Sequence, residues 1–411
     1  MKNVICIASG NTGTDNQLRG LVLASYKSGK NINQVPVTRN CLLKSVDDIV
    51  LHPENFDSWT AFTKAVEKSV QKYLETEQKI PDVVVLPFDH STDNDEKNVD
   101  NLACAVKNAF AKLGSHVTTM VMASRLYDYK HVDYVNVADH LLTPDDVLKL
   151  KVNKQLRLRT VKTLGVPSNI SPLSIKISFA HLAQKAQQNG FENPLNKYRG
   201  EKIVLFSLGG ITPNKAIHFT LKDVDRLIKS AKKMQKAGYK VAFTNSPRTP
   251  NNLTDYLYRQ CLKLNIDFYN SKHIAQTEQE RQNFRFYTGM YEDQFRSQAQ
   301  TVGNIYPAIL KCCAFVVNTH DSFSYTSDVA AVGIPSVVYT GNFIDKTRED
   351  CRRLYEICHQ NGYVLNLEEA ESLIQGGQTV KTKKMRGVSS QIISYLNKQQ
   401  DIPVTQKFFE R

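Results

Sequence analysis

No stretch of the 411 residues approaches the roughly 18 consecutive apolar residues of a membrane span, so the chain is expected to be soluble or at most peripheral to a membrane. The opening, Met1-Lys2 and then the short apolar run from Val4 to Ala8, is too brief for a secretory signal peptide, and a cytoplasmic location is expected. Cysteine is sparse and unpatterned. The eight cysteines stand at 6, 41, 104, 261, 312, 313, 351 and 358, with no C-x-x-C pair. Reduced thiols are the expected state, and a disulfide framework is not. The chain also lacks a G-x-G-x-x-G loop and a Walker lysine, which argues against a dinucleotide-dependent dehydrogenase, a nucleotide-sugar epimerase and a P-loop nucleotidase. No internal repeat and no low-complexity tract is present.

What is present is an ordinary globular composition with a basic bias. Hydrophobic residues make up 41% and charged residues 23%, which excludes a disordered chain. The 53 Lys and Arg outnumber the 40 Asp and Glu, for a net charge of +13. That balance favours phosphates, acidic lipid surfaces or nucleic acid; a lysine-rich solvated surface is the plainer alternative. With no recognition-helix module and no RNA-binding aromatic signature, nucleic acid is not expected as a partner. A single core rarely grows past roughly 250–300 residues, so the length implies two or three domains.

Short β-branched runs alternate with amphipathic segments throughout, which implies βαβ units around parallel sheets. In the first half the strand candidates are Val4–Ala8, Val83–Pro87, Val117–Met122 and Tyr134–Val137. A Gly/Pro/Ser/Asn-rich stretch follows from Thr163 to Pro172, and turn residues concentrate over 165–200. The expected division is 1–175 as one domain, 176–199 as a linker helix and loop, and 200–380 as a second domain. Residues 381–411 would carry a final helix, Ser389–Lys398, that packs back on the first. The second half restarts with Lys202–Phe206, Tyr239–Thr244, Phe284–Tyr287, Ala314–Asn318 and Pro335–Tyr339 as strands. The fold class is therefore α/β, with two Rossmann-like parallel-sheet domains. Ligands of such sheets bind beyond the carboxyl ends of the strands.

The richest segment there is Asn318-Thr-His-Asp-Ser-Phe-Ser-Tyr-Thr-Ser-Asp328. It reads as a strand, an Asp321-Ser322 turn and a helix whose free N–H groups, with Ser322 and Ser324 beside them, suit a diphosphate. Asp328, six residues after Ser322, is placed to accept ribose hydroxyls; an N-cap at Asp321 or Ser322 with a surface-facing Asp328 fits equally. Ser246 and Arg248, in Thr-Asn-Ser-Pro-Arg-Thr-Pro250 after a strand, fit phosphate oxygens or a Pro-braced turn with a solvated Arg. Gly209-Gly210 lets backbone approach a ligand closely. Asn304 and Tyr306, in Gly303-Asn-Ile-Tyr-Pro307, mark a further contact or a simple helix start. Near the N-terminus, Ser9-Gly-Asn-Thr-Gly-Thr-Asp-Asn-Gln17 is glycine-spaced, and Gly13, Asp15, Asn16 and Gln17 fit an acceptor's surroundings. Two pairs beyond strands, Asp89-His90 and Asp139-His140, offer a general base or a capping Asp beside a surface His. Neither has metal-ligand spacing.

Taken together these segments resemble the mitochondrial-fission "elongated mitochondria" family, which has many bacterial members. Its motifs are matched by Gly13-Thr-Asp-Asn16-Gln17, Leu208-Gly209-Gly210, Ser246-Pro-Arg248-Thr249-Pro250 and Thr319-His-Asp321-Ser322-Phe-Ser324-Tyr-Thr-Ser-Asp328. Thr163-Leu-Gly-Val-Pro167 resembles its Thr-x-Gly stretch, so the likeness runs from residue 10 to about 340. Pro247 stands where the family has its first Arg, Asp328 stands for a Glu, and Asp139-His140 reverses the usual His-Asp order.

The family is similar to GT-B transferases, so the resemblance implies two domains facing a central cleft with a nucleotide-sugar in the C-terminal one. The implied reaction moves a sugar from a nucleotide diphosphate sugar to an acceptor hydroxyl, the acceptor being lipid-linked or protein. Ser322, Ser324 and Arg248 would neutralise the diphosphate, Asp328 would hold the ribose, and Asp15, or else His140, would be the base. Neither metal nor cofactor is expected. Plant members are known as recruiting factors for a dynamin-like fission GTPase, so a non-catalytic adaptor that binds a protein partner or an anionic membrane surface is the alternative.

Overall fold

The computed structural model describes residues 3–10, 12–25, 42–87, 95–123, 126–127, 129–188, 192–210, 219–246, 248–270, 305–321, 323–341 and 349–399. The strands among them are β1 (Val4–Ile7), β2 (Leu42–Leu43), β3 (Val83–Leu86), β4 (Thr118–Ala123), β5 (Tyr134–Ala138) and β6 (Thr160–Thr163). The later strands are β7 (Ile203–Ser207), β8 (Lys240–Thr244), β9 (Asp267–Tyr269), β10 (Cys313–Thr319), β11 (Ser336–Tyr339) and β12 (Val364–Asn366). The helices are α1 (Thr12–Ser25), α2 (Trp59–Glu77), α3 (Asp95–Lys112), α4 (Pro144–Val152), α5 (Lys154–Arg159), α6 (Pro172–Gln188) and α7 (Leu221–Lys236). They continue with α8 (Asn251–Lys263), α9 (Tyr306–Ile309), α10 (Phe323–Val332), α11 (Glu349–Gln360), α12 (Leu367–Gln375) and α13 (Val388–Lys398).

The strands form two six-stranded sheets, in the orders β2-β1-β3-β4-β5-β6 and β12-β11-β10-β7-β8-β9, and every pairing is parallel. The chain divides into two compact units, residues 1–169 with 386–411 and residues 170–385, one sheet in each. This is the α/β class, with two Rossmann-like parallel sheets.

The central strands read as unbroken apolar runs because each sheet is covered on both faces. In the first unit Ile5, Ile7, Val84 and Leu86 point to one side, where Phe62 and Val66 of α2 and Leu102 and Val106 of α3 cover them. Their neighbours Val4, Cys6, Val83 and Val85 point to the other, against Leu18 and Leu21 of α1 and Val388, Ile392 and Leu396 of α13. The period of two along each strand sorts the side chains between these layers. Helix α13 thus completes the first unit's core with the face Val388, Ile392, Ile393 and Leu396.

The second unit repeats the scheme. Val204, Phe206, Val241 and Phe243 meet α7 and α8, and the Phe206 and Phe243 rings stack with centroids 4.7 Å apart. On the opposite face Ile203, Leu205 and Val316 meet Ile175 and Leu182 of α6 and Ile309 of α9. Helix α6 therefore belongs to this unit's core, where the composition of residues 176–199 pointed to a linker. Its apolar residues had been masked by the surrounding Lys and Gln. The strand candidate Phe284–Tyr287 lies outside the described residues.

Candidate functional site

In the second sheet the chain runs from β7 outward through β8 to β9, then returns to the other side of β7 as β10 and continues to β11 and β12. The direction of winding reverses between β7 and β10, and the carboxyl ends of strands at such a reversal open into the crevice where ligands of this architecture bind. Three strand exits meet there. Leu208-Gly209-Gly210 follows β7, Asn245–Pro250 follows β8, and Thr319 to Asp321 ends β10.

The glycine pair is held from both sides. The Gly209 N–H donates to Thr319 Oγ1 at 2.7 Å, and the Gly210 N–H donates to Asp321 Oδ2 at 2.7 Å. The Thr249 hydroxyl donates to the Gly209 carbonyl. Thr319 ends β10 and Asp321 lies in the turn that follows it, and both reach the same loop. A Cβ on Gly209 would sit 1.9 Å from Asp321 Oδ2, and one on Gly210 would sit 2.2 Å from the carbonyl carbon of Arg248. Both glycines are required by contact within the protein.

The exit from β8 is a self-braced turn. The Ser246 N–H donates to Thr249 Oγ1 at 3.0 Å, and the Arg248 N–H donates to Ser246 Oγ at 3.2 Å. Ser246 is buried by this arrangement, while Arg248 is exposed. The Arg248 backbone lies against Gly210, and its charge is felt at the Asp321 carboxyl. Burial pushes the Asp321 carboxyl above its ordinary range, although the Thr319 hydroxyl, the Gly210 N–H and Arg248 pull the other way. Asp321 is 4% exposed and turned inward to Gly210. It shapes the loop.

Within α10, Ser324 is half-buried and Asp328 is buried, so the surface-facing carboxylate that the sequence also allowed is not what forms. Asp328 lies near Tyr306, whose hydroxyl is pushed well up by burial and then by that charge. The Tyr306 and Tyr325 rings pack with centroids 4.8 Å apart. Tyr306 and Asp328 are buried and Tyr325 is half-buried. Ser322 and Asn304 lie outside the described residues. Thr249, Thr319 and Tyr325 complete the site but were passed over as candidates. The Thr-x-Asp spacing at the strand end was the available signal for Thr319.

In the first unit α1 begins at Thr12, so Gly13, Asp15, Asn16 and Gln17 lie in its first turns. The reason is local. Asp15 Oδ1 accepts the Ser9 N–H and the Ser9 hydroxyl, both at 2.8 Å, and ties the β1 exit to the helix start. Gln17 is half-buried. His140 is in the single turn Asp139–Leu141 and is 1% exposed, so it is not a surface His. Burial lowers its pKa to about 4. Asp139 is pushed up by burial against the pull of Lys162, 3.9 Å away. Asp89 and His90 lie outside the described residues. Among the described residues no helix is long and apolar enough to cross a membrane.

The family profile described as Mitochondrial fission ELM1 matches residues 101–394. No curated protein matches the sequence. Solved structures similar to the chain include UDP-GlcNAc 2-epimerase of Methanocaldococcus jannaschii in complex with UDP-GlcNAc and UDP, at 13% identity and TM-score 0.36, covering 84% of this chain and 82% of that one. The catalytic domain of starch synthase IV from Arabidopsis thaliana, bound to ADP and acarbose, aligns at 6% identity and TM-score 0.32, covering 84% and 78%. The Streptomyces sp. SF2575 glycosyltransferase SsfS6 aligns at 9% identity and TM-score 0.31, covering 96% and 90%.

Proposed function

The chain belongs to the Mitochondrial fission ELM1 family, and on that premise we propose that its second unit binds a nucleotide diphosphate sugar at the β7/β10 reversal and that the chain transfers the sugar to an acceptor hydroxyl. The observation that carries this reading is the convergence of Gly209-Gly210, Arg248 and the start of α10 on one set of strand exits. Backbone N–H groups at a helix start and a nearby guanidinium are what a departing diphosphate needs for its charge. Ser322 and Ser324 would add hydroxyl donors, and Asp328 would accept the ribose hydroxyls. Ser246 and Asp321 support the loop that places Arg248. The acceptor's proton would go to Asp15, with His140 as the second candidate. A thermal-shift panel of nucleoside diphosphates tests the donor half, because a ligand of the native state raises stability by mass action. No shift with any of them would sink it.

A second reading, a non-catalytic adaptor that keeps the fold, is favoured by one specific observation. Both candidate bases are committed: Asp15 to Ser9, and His140 to a site with almost no solvent contact. Asp15→Asn separates the two readings. Loss of transfer with nucleotide binding intact supports the enzyme, whereas a wild type that binds nucleotide without transferring sugar supports the adaptor.

A further inference from the structure

Helices α4 and α5 carry an outward face of unusual composition. Among the described residues ten large apolar side chains lie exposed, and four of them fall within this short stretch: Val147 at 54%, Leu148 at 58%, Val152 at 73% and Leu158 at 55%. The clustering is not a loss of structure. Thr143 and Asp146 form a complete capping box at the start of α4, and Asn153 caps α5 by accepting the Leu156 N–H at 2.9 Å. Leu150 and Leu156 point into the core of the first unit. At 100° per residue, Leu148, Lys151 and Val152 lie on the side of α4 away from Asp146 and Leu150, Val147 lies on its flank, and Leu158 lies opposite Leu156. These aliphatic side chains therefore point to solvent by design of the spacing.

Cations are interleaved with them. Lys149, Lys151, Lys154 and Arg157 are exposed and form no ion pair among the described residues. Arg159 is turned away, donating to the Tyr129 carbonyl at 2.9 Å. The acidic residues of the stretch, Asp145 and Asp146, stand together at the start of α4, and Asp146 is buried in the capping box.

We propose that the outward face of α4 and α5 docks on an anionic lipid surface, with Val147, Leu148, Val152 and Leu158 entering the headgroup boundary and the four cations meeting lipid phosphates and carboxylates. The composition selects this occupant. A second copy of the chain would set four unpaired cations against four more. A protein interface concentrates Tyr, Trp and Met and is depleted in Lys, whereas this stretch has no aromatic residue and is rich in Lys. A nucleic acid would satisfy the cations but leave the aliphatic side chains without partners. Interfacial helices combine the two kinds of side chain in this way, and long basic side chains reach the headgroups while their stems cover apolar surface. The proposal rests on the first unit alone and stands whether or not the second unit binds a nucleotide.

The test is co-sedimentation of the full chain with vesicles of phosphatidylcholine alone or of an equimolar phosphatidylcholine–phosphatidylserine mixture. The wild type should partition onto the mixed vesicles at least about tenfold better than onto the neutral ones, and less as salt rises. The double variant Leu148→Glu/Val152→Glu and the double variant Lys149→Glu/Lys151→Glu should each lose about tenfold or more of that binding. Leu262→Glu, an equally exposed site in the second unit, should lose none. All are surface positions; Leu148→Ser/Val152→Ser replaces the glutamate pair if that pair lowers the thermal midpoint. Equal binding to both vesicle types, or double variants that bind like the wild type, would overturn the proposal. So would a wild-type dimer in gel filtration that Leu148→Glu/Val152→Glu converts to monomer, since the face would then belong to a second copy. Retention on RNA without vesicle binding would overturn it as well.

Discussion

Asp321 Oδ2 accepts the Gly210 N–H at 2.7 Å, and through that bond the end of β10 fixes the shape of the β7 exit. The same carboxylate fills the space where a Cβ on Gly209 would stand, 1.9 Å away. One buried acid thus explains both halves of the Gly-Gly pair, once through a hydrogen bond and once through volume.

Gly209→Ala should destabilise the chain by about 1–3 kcal/mol, the usual cost of overpacking a closed site. In an Asp321→Ala background the same change should cost less, because the colliding atoms are gone, giving a coupling of at least about 0.5 kcal/mol. Gly210→Ala should show no such relief, since its Cβ meets the backbone of Arg248. Urea midpoints for the four members of the cycle and for the two Gly210 variants measure this.

Asp321 should also impose a pH dependence. Its folded pKa is raised, so the folded chain holds this proton more tightly than the unfolded one. The stability it contributes is complete below the unfolded carboxylate range and is lost as pH rises through the raised folded value. Asp321→Asn keeps an acceptor for Gly210 without the proton. Its stability relative to wild type should therefore climb as pH rises from about 4 toward neutral. Parallel denaturation curves for the two chains at each pH would count against the buried charge.

His140 acts in the opposite direction. Burial lowers its pKa from 6.5 to about 4, so the unfolded chain takes up the proton first. Stability should fall as pH drops through 6.5 and level off below about 4, a loss on the order of 3 kcal/mol. In His140→Gln that part of the slope should vanish.

Asp328→Asn should weaken nucleoside and nucleoside diphosphate alike, because a ribose contact does not depend on the phosphates. Loss of the single charged acceptor corresponds to about 1.5–3 kcal/mol. Calorimetry with the two ligands compares the losses directly, and a loss confined to the diphosphate would move Asp328 away from the ribose.

The interior strands β1, β3, β4, β5, β7, β8, β10 and β11 were legible because each is a β-branched or aromatic run covered on both faces. The strands that escaped reading, β2, β6, β9 and β12, are the four edges of the two sheets. They are two to four residues long, as Leu42–Leu43 and Asp267–Tyr269 show, and so short a run carries no period. Lys162 in the middle of β6 is exposed and broke its apolar pattern. At the site the segments were visible as motifs, but their contacts were not. That Asp321 faces Gly210, and that Asp15 faces Ser9, depends on how strand ends meet, which no local spacing reports. Cysteine usage was a simpler case: no disulfide joins the described cysteines, and Cys6, Cys261, Cys351 and Cys358 are buried.

Calorimetric titration of a nucleoside diphosphate into the wild type and into Arg248→Ala tests the central claim most directly. Arg248 is exposed and its backbone is held by the turn, so the variant should fold normally. The wild type should bind, and the variant should bind more weakly by about 1.5–3 kcal/mol, roughly ten- to hundredfold in Kd. Equal affinity in the two chains, or no binding heat in the wild type with any nucleoside diphosphate, would contradict a diphosphate site at the β7/β10 reversal.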